Sequence, residues 1–418
     1  MNKILKIFKG DRVIWFIFLF LCLISLIEVF SAGSRLTYQS GNYWAPLRQH
    51  ACFLIVGLIV VICVMNMPYK WFQLLGIILI PISIILLLFT LTHGHGINGA
   101  ARWLSLFGIK FQPSELAKMA MIIYTASVLS KGQTPEGASP EAFKFITPLL
   151  VALCVLIFPE NFSTSALLFI VIMTMMIIGR VPMKKLMMIV LPIIGLVAIV
   201  LVYAAAKPKA NTEDKSFLHR VDVWVTRIDK FTQGHDEVPA TQYDFKQNEQ
   251  VGHANIAVAT SSILGKGPGN SVERDFLSEA ASDFIFAIII EEMGLVGGIF
   301  VVFLYICLLI RAGRIARQCD KTFPALLVIG IGLLMISQAL VNMLVAVGLF
   351  PVTGQPLPLI SKGGTSTLIN CVYIGMLLSV SNYTRKLQLK KSKKSEQETM
   401  MQPAEPTAVL LNEDSKMR

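Results

Sequence analysis

About ten apolar runs, each long enough to cross a bilayer as a helix, constrain this chain more than any other feature. They lie at roughly 13–31, 47–66, 70–92, 113–130, 144–159, 162–180, 184–204, 282–310, 323–350 and 364–384. Lipid offers no partner for backbone N–H and C=O groups, so such a run must satisfy them internally, as a helix. Of the 418 residues, 54% are hydrophobic and only 15% charged, outside the range of ordinary soluble domains. The expected fold is an all-α integral membrane protein with about ten transmembrane helices and a large extracytoplasmic loop, about 205–281, between helices seven and eight. Lys3, Lys6, Lys9 and Arg12 precede a first run too long for a signal peptide, which is read as a retained span.

The net charge of +11 is explained by where the bases sit. They collect in alternate loops: Lys3 to Arg12, Lys70, Lys131 with Lys144, Arg180 with Lys184 and Lys185, and Arg311 to Lys321. Arg385, Lys386 and the lysines that follow extend the pattern into the tail. The positive-inside rule puts these segments, and both termini, in the cytoplasm. This placement argues against nucleic acid as a partner. The transmembrane domain is expected over 1–386, with a disordered cytoplasmic tail over 387–418. The loop 205–281 mixes both signs and carries Trp224 and Tyr243.

Six of the seven cysteines lie in or beside apolar runs and none in the long loop, against a disulfide scaffold or a zinc site. His93 and His95 lack a nearby carboxylate and read as loop residues. No metal site is evident, although a divalent cation would be compatible with the chemistry below.

Polar residues at membrane depth are costly and need a reason. Four segments carry them. In the first, Arg102-Trp103 forms a candidate interfacial segment, followed by Gln112-Pro113-Ser114-Glu115-Leu116-Ala117-Lys118. Pro113 suits a helix start, and Glu115 and Lys118 share a face. The bland alternative is a local ion pair that solubilises a helix end. In the second, Ser282-Asp283 enters a helix that carries Glu291-Glu292 about 12 Å further along. A helix N-terminus favours the ionised carboxylate, so Asp283 is a candidate base, with simple capping as the alternative. Glu291 and Glu292 read as structural. The third is Gly265-Lys266-Gly267-Pro268-Gly269, which lacks the dinucleotide fingerprint and reads as a loop. Arg274 nearby is a candidate phosphate contact. The fourth is Asn342 followed by the Pro/Gly-dense stretch Pro351 to Ser366, a candidate re-entrant segment in which Lys362 is placed to hold an anionic group. One carboxylate among Arg102, Lys118 and Lys362 on the outer side suits chemistry on a phosphate-bearing lipid.

At these motifs the chain resembles the SEDS family, the FtsW/RodA polymerases of bacterial cell-wall synthesis. The resemblance runs from the first span to about Lys386 and rests on Asn98–Trp103, Gln112–Lys118, Ser282–Gly294 and Pro351–Ser366, with Arg48-Gln49 before the second span. It implies ten transmembrane helices and peptidoglycan glycosyltransfer with lipid II and the nascent glycan strand as substrates, in the cytoplasmic membrane. It implies Asp283 as the essential aspartate and Lys118 and Glu115 as motif residues. Gln112, Glu291, Glu292 and Asn342 are expected to orient the site, and Arg48, Arg102, Arg274, Lys362 and Ser366 to bind substrate. Partners implied are a class B penicillin-binding protein and other divisome proteins, with a lean to the division-type, FtsW-like role at the septum. The sequence departs from the family pattern at Ala101, Asn161, Ala281 and Lys362, the last replacing a common tyrosine. The alternatives are a lipid II flippase using the same cavity and a non-catalytic division scaffold.

Overall fold

The computed structural model describes residues 8–33, 44–93, 95–97, 100–106, 109–134, 137–206, 249–277 and 279–401. Among them are eleven α-helices: α1 Arg12–Ala32, α2 Ala45–Asn66, α3 Lys70–His93, α4 Pro113–Lys131, α5 Pro140–Ile157, α6 Phe162–Ile178, α7 Met183–Ala206, α8 Glu249–Ala259, α9 Ile285–Gln318, α10 Thr322–Ala346 and α11 Thr365–Met401. All except α8 coincide with the ten expected runs, within a few residues at most ends. Five, α1, α2, α3, α9 and α10, are by length and composition alone able to cross a membrane. The fold is all-α, as the apolar runs require, and the chain is a multi-pass membrane protein.

Helix α4 is the central element. Fourteen of its residues, from Pro113 to Leu129, are buried, including Glu115 and Lys118. It packs against α3, α10, α5 and α6, while α2 pairs with α11 and α1 and α10 flank α9. Close approach at α2–α11 depends on small residues: a Cβ at Gly375 would lie 2.7 Å from Val64 Cβ, and one at Gly57 would lie 2.6 Å from Cys371 Sγ. Lipid supplies little hydrophobic drive between helices, so tight packing of this kind must supply the association energy.

Short strands β1 His95–Ile97, β2 Ala100–Leu106 and β3 Ile109–Phe111 form an antiparallel sheet between α3 and α4, with Ser105 opposite Lys110. The Arg102-Trp103 segment is therefore a strand. Strands β4 Gln133–Thr134 and β5 Gly137–Ala138 close the α4–α5 turn. Asn98, Gly99, Trp224 and Tyr243 lie outside the described residues.

Two expectations need correcting. Helix α9 is unwound at Gly294, which has φ 72° and ψ −175°. Its stranded groups are taken up by the Gly265-Lys266-Gly267 loop and the residues just before it. Lys266 N donates to Glu291 O at 3.0 Å and Gly267 N to Glu292 O at 2.8 Å. In the other direction, Leu295 N donates to Ser262 O and Val296 N to Ile263 O, both at 3.3 Å. The loop thus pairs with an interrupted helix as one strand pairs with another. The tail is the second correction: α11 runs on to Met401, so disorder does not begin at 387. Residues 386–401 are rich in Lys, Glu, Gln, Leu and Met, contain no Gly or Pro, and favour continued helix. Residues 402–418 lie outside the described part of the chain.

Candidate active site

Asp283 sits in a turn over residues 279–284 that leads into α9, at the end of the long loop. Its carboxylate is partly buried and accepts a hydrogen bond from Ser282 Oγ at 3.0 Å. The turn is held by the non-helical stretch between α10 and α11. Asn342 Nδ2 on α10 donates to Asp283 O and to Gln355 O, both at 2.8 Å. Ser361 Oγ donates to Ser282 O at 2.6 Å, and Lys362 N donates to Ala281 O at 2.8 Å. Two bonds therefore fix the Asp283 turn directly to the segment that carries Lys362, and Asn342 bridges the two. That segment is irregular, and most of its residues from Leu357 to Ser361 are buried, which membrane depth permits only where neighbours satisfy the backbone. Leu357 N meets Ser361 Oγ at 2.7 Å, Tyr305 of α9 donates its hydroxyl to Pro358 O, and Leu359 takes the left-handed conformation at φ 67°. For a leucine this costs on the order of 1 kcal/mol or more, strain of a kind that concentrates at functional sites.

The second motif lies on the same side of α10. Lys118 Nζ contacts Glu115 Oε1 at 2.7 Å, with side chains 0% and 2% exposed. Lys118 also donates to Gln338 Oε1 at 3.2 Å, and Gln338 Nε2 donates to Pro356 O at 3.2 Å. Gln338 and Asn342, one helical turn apart on α10, thereby join the Lys118–Glu115 pair and the Asp283 turn to one and the same irregular segment. The pair is not the solvated surface contact that helix-end spacing allows. Gln112 Nε2 donates to Ser114 Oγ at 2.9 Å at the start of α4. Several buried acceptors and donors have no hydrogen-bond partner among the described residues: Glu115 Oε2, Asn342 Oδ1, Gln355 Oε1 and Ser366 Oγ. Such groups are costly in a folded chain unless something else meets them, and a polar substrate would do so.

Outside the membrane-spanning segments two ionisable groups of this region are perturbed. Burial holds the Lys362 ammonium below the usual lysine range. Burial, and then the negative charge of Asp283, raise the Glu279 carboxyl above the usual carboxylate range.

The other expected residues fall elsewhere. Glu291 and Glu292 are both fully buried and bind the loop rather than the Asp283 turn. Glu291 takes Lys266 Nζ at 2.6 Å, Ser271 Oγ at 2.5 Å and Val272 N at 3.1 Å. Glu292 takes Gly269 N at 2.9 Å, Ser271 N at 3.2 Å and the hydroxyl of Ser31. Arg274 joins this second cluster: its Nη1 donates to Ser31 Oγ at 2.8 Å and Gly269 O at 2.6 Å, and lies 3.7 Å from Glu292 Oε1. Arg274 is thus engaged in docking the loop onto α1 and α9. Arg48 is exposed near the start of α2. Arg102 belongs to β2, and its side chain lies outside the described atoms. Asn161, at a departure from the family pattern, caps α6 by accepting from Thr164 N at 3.1 Å.

Sequence reasoning passed over several polar residues inside the apolar runs. Gln338 links Lys118 to Pro356, and Gln355 Nε2 reaches Thr164 Oγ1 of α6 at 2.6 Å. Ser25 of α1 bridges His50 of α2 and Ile360 O. Glu28 of α1 is fully buried, and neither of its carboxylate oxygens is hydrogen-bonded among the described residues. The cost of polar groups in a span was the available signal, and applied to every span it marks each of them. No group of three or more metal-ligating side chains forms among the described residues.

The chain matches the FtsW/RodA/SpoVE family model, described as cell cycle protein, over residues 11–386. It is 33% identical over 380 residues to a Halomonas elongata protein named "Probable peptidoglycan glycosyltransferase FtsW", covering 87% of this chain and 88% of that one. A protein of the same name from Aliivibrio salmonicida is 31% identical, covering 94% of both chains. Among solved structures, a chain from work on the structural coordination of polymerization and crosslinking by a peptidoglycan synthase complex superposes with TM-score 0.70 at 22% identity, covering 90% of this chain and 98% of that one. The Thermus thermophilus rod shape determining protein RodA superposes with TM-score 0.57 at 20% identity, covering 89% and 96%. At these identities the structures speak for the fold, whereas the family model spans nearly all of the described membrane region. The chain belongs to the FtsW/RodA/SpoVE family of cell cycle proteins.

Proposed function

We propose that the protein is a peptidoglycan glycosyltransferase that polymerises lipid II into glycan strands on the outer face of the cytoplasmic membrane, during cell division. The observation that carries this reading is the stapling of the Asp283 turn to the Lys362 segment, with the buried Lys118–Glu115 pair tied to that segment through Gln338. The arrangement supplies one carboxylate and pre-placed cations, which is what sugar transfer from a diphosphate carrier needs. The names of the relatives are in keeping with it.

In this reading the 4-hydroxyl of the N-acetylglucosamine of lipid II attacks C1 of the N-acetylmuramic acid that ends the growing strand. The glycosidic bond forms as the bond from C1 to the undecaprenyl diphosphate oxygen breaks. Asp283 takes the hydroxyl proton as general base. Lys362, Lys118 and Arg102 stabilise the charge that develops on the departing diphosphate. Gln112, Asn342 and Glu115 hold these groups in place, and Ser366 and Arg48 contact the substrate. Arg274, Glu291 and Glu292 act by docking the loop. A divalent cation would add to the same charge stabilisation. Both termini are cytoplasmic, the site works at the septum, and a class B penicillin-binding protein crosslinks the strands alongside other divisome proteins.

The test uses purified full-length chain in vesicles with fluorescent lipid II, with and without a class B penicillin-binding protein. Glycan ladders are the expected product. Leaflet exchange of lipid II without ladders in either condition would replace this reading by lipid transport.

A further inference from the structure

Ser25 lies fully buried in α1, far in sequence from the segment it touches. Its Oγ is 2.6 Å from Ile360 O and 2.7 Å from His50 Nε2. A hydroxyl has a single proton and a carbonyl can only accept, so that proton goes to Ile360. His50 Nε2 must then be the donor to Ser25, which fixes the ring as the Nε2–H tautomer, assigned from the network. His50 is 2% exposed and belongs to the first turns of α2.

The point of attachment matters. Ile360 follows Leu359 in its left-handed conformation and stands two residues before Lys362. Next to it, Ser361 Oγ and Lys362 N bind the Asp283 turn. The strained segment is therefore held both by α9 with its preceding turn and by α1 with α2. Removing one grip releases the strain, and Lys362 is the charged residue at the released end.

We propose that His50, acting through Ser25, is a positioning residue that holds the Lys362 segment in register for the diphosphate of the lipid-linked substrate. This rests on the assignment of Lys362 to that diphosphate made above. His50 touches neither substrate nor the reacting atoms; its hydrogen bond fixes where the cation stands. The bond also explains how a histidine at this depth is accommodated: its Nε2–H has a fixed acceptor, which in turn has a fixed acceptor of its own.

The test is a double-mutant cycle on full-length protein in vesicles, reading KM and kcat for lipid II and the binding of undecaprenyl diphosphate. His50→Ala is expected to weaken undecaprenyl diphosphate binding about five- to tenfold, the scale of one buried hydrogen bond, and to lower kcat by a similar factor. His50→Gln, which presents an amide N–H at similar reach, restores both, and Ser25→Ala reproduces the His50→Ala effect. Lys362→Ala weakens diphosphate binding by itself, and adding His50→Ala to it weakens binding no further. Independent, additive losses, or failure of a folded His50→Gln variant to restore diphosphate binding and kcat, overturn the positioning role alone. If Lys362→Ala leaves diphosphate binding intact, the assignment of Lys362 fails and the role of His50 falls with it.

Discussion

Lys118 and Glu115 show what burial does to a pair that spacing alone makes look ordinary. On a solvated helix end their bond is worth a fraction of a kcal/mol. Fully enclosed at 2.7 Å, the pair instead leaves an unpaired buried charge if one member is lost, a penalty of about 3–5 kcal/mol. Lys118→Ala should therefore lower the melting temperature in detergent sharply, and Lys118→Met with Glu115→Gln should lose less than Lys118→Ala alone; equal losses would place the pair in solvent. Lys362 offers a test through pH. Burial lowers its pKa, so the folded chain favours the neutral amine, and this conflict is present at low pH and relieved as pH rises through the folded value. Activity that needs the ammonium should therefore fall on the alkaline side earlier than a free lysine would dictate. Lys362→Arg should carry the fall to higher pH, and an unchanged alkaline limb would remove Lys362 from the charge-bearing set. Glu115, Lys118 and Asn342 stood out in the sequence because each breaks an apolar pattern, and Asp283 because it stands where the long polar loop enters a helix. Ser25, His50, Gln338 and Gln355 did not, because their importance lies in contacts between residues as many as 335 apart.

At the scale of elements, the helices could be read from run length because lipid leaves the backbone little choice. The unwinding of α9 could not. Nothing in the composition of Glu291-Glu292-Met293-Gly294 requires a break, and the cause lies in the loop that pairs with it. A Cβ at Gly294 would stand 2.3 Å from Ile263 O and 2.4 Å from Gly265 N, and one at Gly265 would stand 2.2 Å from Glu292 O. The two glycines therefore face each other across a contact that admits no side chain, and Gly294 also has a φ that disfavours one. Gly294→Ala should cost at least about 2 kcal/mol through strain and overpacking. It should show as protease sensitivity across 260–275, where Lys266, Ser271 and Arg274 hold the loop to Glu291 and Glu292. Wild-type resistance in that variant would mean the loop docks without the glycine contact. The extension of α11 to Met401 belongs at the same scale: charge and polarity suggested disorder, whereas helix propensity without a breaker carried the helix on.

For the molecule as a whole, the helices serve to bring residues from six of them, α1, α2, α4, α6, α9 and α10, onto one irregular segment between α10 and α11. Ser25, His50, Lys118, Gln338, Asn342, Tyr305 and Thr164 all end, directly or through one partner, on residues 355–361. That convergence fixes where Asp283 and Lys362 stand relative to each other. The proposed chemistry depends on the carboxylate, so the decisive measurement is lipid II polymerisation in vesicles by wild type, Asp283→Asn and Asp283→Ala, each together with a class B penicillin-binding protein and checked for equal folding. A general base that contributes about 10²–10⁴-fold predicts that both variants lose glycan ladders while still binding lipid II. Ladders from Asp283→Ala at the wild-type rate would contradict the account.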